Sequence, residues 1–139
     1  MPAKSALASA ARPADEKITI NIGCVDLGQI DLLVQEGFYA NRTDLIRTAI
    51  RNQLATHAEA VREVVSRKTL VLGIQHFTSA DLKSAQAAGE MLQIRVLGLA
   101  CIADDVSPKL ALATIESLTV LGALHASPAV KAALRDRIG

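Results

Sequence analysis

The chain has 139 residues, and its 15 Lys and Arg residues against 14 Asp and Glu residues give a formal net charge of +1. Half of the residues are hydrophobic, but only 2% are aromatic. This length excludes a large enzyme scaffold, and the apolar content excludes disorder over most of the chain. The two cysteines are too few for a disulfide framework, and no apolar run reaches the roughly 20 residues that span a bilayer. We therefore expect a cytoplasmic protein with no membrane partner.

Charge is unevenly distributed along the chain. An Ala-, Ser- and Pro-rich segment, predicted to be a flexible arm, covers residues 1–15. Residues 41–68 carry six basic against three acidic residues, whereas residues 69–139 carry six of each. A polyanionic partner is therefore expected to bind the first half of the chain.

Residues 17–22 read Lys-Ile-Thr-Ile-Asn-Ile, an alternation of polar and β-branched apolar side chains. This period of two predicts a half-buried strand with the isoleucines inward and Lys17, Thr19 and Asn21 outward. No partner strand lies nearby in the sequence, so the backbone donors and acceptors of this strand need a partner from elsewhere. Two chains that pair antiparallel across a two-fold axis satisfy them, and such a ribbon fits the DNA major groove.

Two helices are predicted after the strand. The first covers residues 26–35 and ends at Gly37. The second begins near residues 41–43, and because no Gly or Pro occurs before position 72, we expect it to continue to about Arg67. The apolar residues predicted to form a core shared by two chains are Ile18, Ile20, Ile22, Leu27, Ile30, Leu33, Leu45, Ile46 and Ile50.

Residues 17–54 resemble the ribbon-helix-helix repressors of the CopG/Arc/MetJ type. The matching features are the alternating strand, the Gly-Phe-Tyr turn at residues 37–39 and the Asn-Arg-Thr-Asp-x-Ile-Arg run at residues 41–47. The resemblance implies an obligate dimer of one strand and two helices per chain.

The same resemblance implies the roles of individual residues. The outward strand residues that would read DNA bases are Lys17, Thr19 and Asn21. The start of the second helix would bind a phosphate through backbone amides and Thr43, with Arg42 and Arg47 close by. A phosphate site at this position is physically reasonable, because a helix N-terminus offers free N–H groups and a positive dipole end to an anion.

The second half of the chain contains a repeat. The triplet Val-Leu-Gly occurs at residues 71–73, 96–98 and 120–122, each time within a short apolar run. Each run is followed by a serine-led helix start, at residues 79–82, 107–110 and 127–130. Strands separated by helices must run parallel, and a period near 24 is typical of stacked repeats.

The predicted fold class is therefore α+β. A ribbon-helix-helix domain covers residues 16–57, a helical linker covers residues 58–68, and about three strand-helix units with parallel strands form a small β/α repeat region at residues 69–139. The repeat region resembles no family that we recognise.

His76, Cys101 and His125 each lie three residues after a repeated glycine, so aligned strands would place them in one row. They are candidate metal ligands, but we predict no metal, because strands about 4.8 Å apart leave the outer two too distant for one tetrahedral ion. The sequence has no phosphate loop, nucleophile elbow, HExxH or CxxC motif. We therefore expect neither a cofactor nor enzymatic activity.

These features predict a homodimeric, sequence-specific DNA-binding transcriptional regulator, located at the nucleoid in the cytoplasm. Residues 69–139 would join dimers into a higher oligomer or bind a protein partner. Two alternatives remain open. One is an antitoxin that regulates its own operon and neutralises a toxin through the second half. The other is a DNA-associated structural protein that polymerises through its repeats.

Overall fold

A computed structural model describes residues 14–139 of the chain. These residues divide into two compact units, Lys17–Val64 and Val65–Gly139, and the described residues before Lys17 group with the second unit. The predicted flexible arm lies outside the described residues as far as position 13. No helix between residues 14 and 139 is both long and apolar enough to cross a bilayer.

The first unit consists of a segment without regular secondary structure, residues 17–23, followed by helices α1 (Cys24–Gln35) and α2 (Arg42–Thr56) and the start of α3 (Ala58–Lys68). Helix α1 ends at a left-handed turn, where Gly37 has a φ of +85°. The N–H of Phe38 donates to the carbonyl of Leu33 and that of Gly37 to Val34, which is the Schellman arrangement. The predicted end of the first helix at Gly37 is confirmed.

The prediction of one uninterrupted second helix is wrong. Helix α2 ends at Thr56, and α3 begins at Ala58. Between them the N–H of His57 donates to the carbonyl three residues back, Leu54, instead of continuing the α-helical ladder. Thr and His have weak helix propensity, and the hydroxyl of Thr56 binds the carbonyl of Asn52, so the chain turns here without Gly or Pro.

The second unit contains a three-stranded sheet with strand order β1-β2-β3, and both neighbouring pairs are parallel. Its elements in chain order are β1 (Val71–Phe77), α4 (Ser79–Ala87), β2 (Leu92–Ile102), α5 (Pro108–Thr114), β3 (Ile115–His125), α6 (Pro128–Ala133) and a final 3₁₀ turn (Arg135–Arg137). The structure therefore confirms three parallel strand-helix units.

One hydrophobic core holds this second unit together. It joins buried residues of all three helices, among them Leu82, Leu110 and Val130, to the even-numbered β2 positions from Ile94 to Ile102. Since alternate residues of a strand point to opposite faces, helices α4, α5 and α6 cover the same face of the sheet. This is the geometry expected of right-handed crossovers that progress in one direction.

The three repeated glycines form a row across the sheet. Gly73 lies beside Gly98, which lies beside Gly122, and their φ angles are +131°, +137° and +122°. A Cβ at Gly98 would overlap the carbonyl oxygen of Gly73, and one at Gly122 would overlap that of Gly98. At Gly98 and Gly122, glycine is therefore required both by the backbone conformation and by the close approach of the neighbouring strand.

Side-chain caps fix the starts of the three helices of the second unit. Ser107 and Ser127 accept hydrogen bonds from the amides of Leu110 and Val130, and a proline follows each serine, as predicted. The first helix start differs from its prediction, since Thr78 is the cap and Ser79 is already helical. Asp81 completes a capping box with Thr78, and hydrogen bonds from the Thr78 backbone and side chain lower the pKa of its carboxyl.

Candidate nucleic-acid interface

Residues 17–22 form neither a helix nor a strand and make no backbone hydrogen bond with any residue between 14 and 139, so the predicted strand is not formed within the described part of a single chain. They are not part of the β1-β2-β3 sheet. Their predicted inward side chains are open to solvent, because Ile18 exposes 77% and Ile20 exposes 70% of its surface. Within the part of the chain that is described, this segment has neither backbone partners nor a place to bury its isoleucines.

The three predicted base-reading residues lie in this segment. Lys17, Thr19 and Asn21 alternate with the isoleucines and are all exposed. In the predicted strand, residues two apart point the same way, so the three polar side chains would form one row there. The row combines an ammonium donor, a hydroxyl and an amide, which are the groups that hydrogen-bond to base edges.

The apolar residues of the first unit lack a core of their own. Helices α1, α2 and α3 contain no buried residue. The residues predicted to form a shared core are half-buried at Leu27, Ile30, Leu33 and Leu45 and exposed at Ile18, Ile20, Ile22, Ile46 and Ile50. A row of apolar side chains on α2 remains open to solvent, with Leu54 exposing 59% of its surface.

The N-terminus of α2 is shaped by reciprocal hydrogen bonds. The side chain of Asn41 accepts from the amide of Asp44 at 2.8 Å, and the Asp44 carboxylate accepts from the amide of Ala40 at 3.0 Å. The Asp44 carboxylate is therefore held against the preceding turn. Thr43 is exposed in the first turn of the helix, where the first amides of any α-helix lack intrahelical partners.

Arg42 binds Asp31, a residue outside the predicted site. Its Nε and Nη2 atoms donate to the two carboxylate oxygens of Asp31 on α1, at 2.7 and 2.9 Å. This hydrogen-bonded pair lowers the pKa of Asp31 and raises that of Arg42, so both groups are charged at neutral pH. The pair ties α1 to the start of α2, and it engages two of the three guanidinium nitrogens of Arg42.

Arg47 is the less constrained of the two predicted phosphate-binding arginines. It lies on the second turn of α2, is exposed, and forms no ion pair with any residue between 14 and 139. Arg42, Thr43 and Arg47 thus all occupy the first two turns of one helix. The sequence offered no signal for the Asp31 contact, because residues 31 and 42 are separated by a turn whose geometry the sequence does not define.

The candidate metal ligands lie in the second unit. The strand register places His76 beside Cys101 and Cys101 beside His125, which confirms the predicted row. No group of three or more His, Cys, Asp or Glu residues among the described positions is arranged to hold a metal ion. Instead, the Nε2 atom of His125 lies 3.0 Å from the Oε1 atom of Glu16.

Comparison with known proteins adds a finding that covers both units. A family model, described as the ribbon-helix-helix transcriptional regulator family, matches residues 13–131. The match includes residues 17–23, helices α1 to α3 and most of the β/α repeat. No curated protein and no solved structure matches the chain.

Proposed function

Because the chain belongs to the ribbon-helix-helix transcriptional regulator family, we propose that it is a sequence-specific DNA-binding regulator that acts as a homodimer. The observation that carries this proposal is the incomplete first unit. A unit of three helices and an exposed isoleucine-bearing segment that buries no residue needs a second surface to form a core.

A second copy of the chain supplies that surface. Antiparallel pairing of residues 17–22 with the same residues of the partner satisfies their backbone groups, and the isoleucine sides of both segments then face the exposed apolar row of α2. Burying apolar area stabilises the dimer by about 25 cal/mol per Å². The dimer and its ribbon are therefore formed by the same residues.

The ribbon places two copies of Lys17, Thr19 and Asn21 on one surface. A two-stranded ribbon fits the major groove, where base pairs present distinct patterns of donors and acceptors. Lys donates to guanine, Asn can bond adenine through two atoms, and Thr can contact either a base edge or a thymine methyl group. In this proposal these three residues determine which sequence is bound.

The start of α2 positions the ribbon by binding the DNA backbone. Thr43, the free amides of the first turn and Arg47 contact a phosphate, and Arg42 contributes through the nitrogen that Asp31 leaves available. Arg47 is the main phosphate ligand of the pair, since no described residue competes for it.

The β/α repeat is proposed to assemble copies of the regulator. Neighbouring dimers joined through residues 69–139 occupy adjacent half-sites, and the linkage raises affinity through effective concentration without new base contacts. Because the proposed regulator binds DNA, we expect it at the nucleoid in the cytoplasm.

Selection of bound duplexes from a random DNA pool tests the function. We expect a recovered site with two-fold symmetry, and half-sites at regular spacing if dimers assemble. Mass measurement of the protein in solution without DNA should give a dimer or a multiple of it. A monomer, or a recovered pool without any sequence preference, would contradict the proposal.

Arg47→Ala is expected to weaken binding to every DNA sequence and to make it less sensitive to salt. The dimer carries two copies of Arg47, so the variant loses two phosphate-binding charges, and the slope of log K against log salt concentration should fall by about 1.8, at about 0.9 per charge. Arg135→Ala, which removes the same charge from an exposed position in the 3₁₀ turn of the second unit, is the matched control. Equal slopes for the Arg47→Ala variant and the wild-type protein would show that Arg47 does not bind a phosphate.

A further inference from the structure

Strand β1 forms an outer edge of the sheet, and within residues 14–139 this edge lacks the usual protection. Its seven residues, Val-Leu-Gly-Ile-Gln-His-Phe, include no Lys, Asp, Glu, Arg or Pro. Leu72 exposes 67% and Ile74 exposes 54% of its surface. Exposed, uncharged and apolar edge strands pair readily with other strands, and natural proteins usually block them.

Residues 137–139, the tail segment, cover part of the opposite edge of the sheet, along β3. Ile138 forms a parallel bridge with Leu118 of β3, and the N–H of Gly139 donates to the Leu118 carbonyl at 2.9 Å. Arg137 holds this tail in place by donating to the carbonyls of Leu112 and Ile115, both at 2.6 Å. A β1 strand from another copy therefore cannot add along the whole of β3 unless the tail is displaced.

Gly73 adds a second observation at the β1 edge. It has the same left-handed backbone as Gly98 and Gly122, yet a Cβ at Gly73 would meet no atom of residues 14–139 within 4 Å. At the other two glycines, the Cβ position is closed by the carbonyl of the preceding strand in the order β1-β2-β3. The corresponding space at Gly73 therefore lies on the outer side of β1, where another backbone has room to approach closely.

We infer that the β1 edges of two copies of this chain pair antiparallel across a two-fold axis and form one continuous six-stranded sheet. The inference rests on the homodimer proposed above, because the two copies that pair through β1 are the two chains that share one ribbon. Because the tail segment occupies the β3 edge at Leu118, the contact joins like edges and closes on itself, whereas head-to-tail stacking of β1 on β3 would produce an open filament.

The size of the contact indicates that the partner is a second copy. One pair of seven-residue strands with three partly exposed apolar side chains on each is small beside the roughly 1,200 Å² that a stable interface between free proteins buries. Two chains already joined through their ribbons meet at an effective concentration that can reach the millimolar range, which makes so small a contact sufficient.

Hydrogen–deuterium exchange of the full-length protein, followed by mass spectrometry, tests the inference. An unpaired edge strand leaves its outward amides exposed, so they exchange quickly; pairing should slow them by about 100-fold or more, to rates like those of β2. The same measurement reports on residues 17–22, which are slow if the ribbon forms. The experiment therefore distinguishes a protein whose β1 edges do not pair from a protein whose ribbon does not form.

Ile74→Lys places like charges near the two-fold axis and should return the β1 amides to fast exchange while β2 stays slow. Leu121→Lys is the matched control, because Leu121 exposes 52% on the same sheet face as Ile74 but lies two strands from the edge. Should Ile74→Lys impair folding, an equimolar mixture of Ile74→Lys and Ile74→Glu proteins serves instead, and there the slow exchange should return.

Three results would overturn the inference. The first is fast exchange of the β1 amides in the wild-type protein. The second is slow exchange of the β1 amides that persists in the Ile74→Lys protein. Loss of that slow exchange in the Leu121→Lys protein counts equally, because it would show that the two copies meet through the face of the sheet and not through its edge. The third is fast exchange after deletion of residues 1–13, since that result assigns the edge to this chain's own N-terminal segment.

Discussion

Gly98→Ala is expected to destabilise the β/α repeat severely, so that it unfolds at a much lower urea concentration than in the wild-type protein. The new methyl group would overlap the carbonyl oxygen of Gly73, and that oxygen belongs to backbone that is held in the sheet by its register with β2. An alanine at a φ of +137° is also strained, which by itself costs about 1–3 kcal/mol. Together the two effects should exceed about 4 kcal/mol, a large part of the roughly 5–15 kcal/mol by which a domain is usually stable.

Gly73→Ala separates the two causes. It introduces the same side chain at a φ of +131°, but no atom of the described chain lies within 4 Å of the added methyl group. Its cost should therefore be limited to backbone strain and be clearly smaller. Urea unfolding followed by circular dichroism, with exchange of the β2 amides as the local probe, compares the variants. A Gly98→Ala protein that unfolds at the same urea concentration as Gly73→Ala would show that the neighbouring strand adapts to the methyl group.

The repeat is also the part of the fold that the sequence predicts best. The spacing of the Val-Leu-Gly triplets gives the strand register directly, because identical positions of successive units lie side by side in a parallel stack. The starts of α5 and α6 can also be predicted, because each depends only on a serine cap and the proline that follows it in the sequence. The start of α4 differs from its prediction by one residue, since Thr78 and Ser79 are both capable caps and only the contact with Asp81 distinguishes them.

Two features of the first unit depend on contacts that no local pattern encodes. The pair between Arg42 and Asp31 forms only once the turn at Gly37 brings α1 against α2. The break at His57 follows from one backbone hydrogen bond that closes after three residues instead of four. By contrast, the alternation of residues 17–22 predicts a segment with one polar and one apolar side, and the exposed isoleucines show why that segment cannot form a core within a single chain.

Asn21→Ala is expected to abolish sequence discrimination and to leave nonspecific binding largely intact. A side-chain amide that bonds a base contributes about 1–3 kcal/mol of discrimination, and the proposed ribbon carries two copies of Asn21, so the loss should be about 2–6 kcal/mol. Since every 1.4 kcal/mol is about tenfold, the preference for the selected site over a scrambled duplex should fall by roughly 30-fold to 10⁴-fold. Salt-dependent binding to phosphates involves other residues and should persist.

Titration of the selected site and of a scrambled duplex at one salt concentration measures both quantities. Asn52→Ala is the matched control, because Asn52 is exposed in the middle of α2, outside residues 17–22 and the first two turns of α2. If Asn21→Ala weakens both duplexes equally, Asn21 contributes to the stability of the ribbon or to phosphate binding instead of reading bases. If it changes neither, the polar side of residues 17–22 does not face the groove, and the segment acts only to join the two chains.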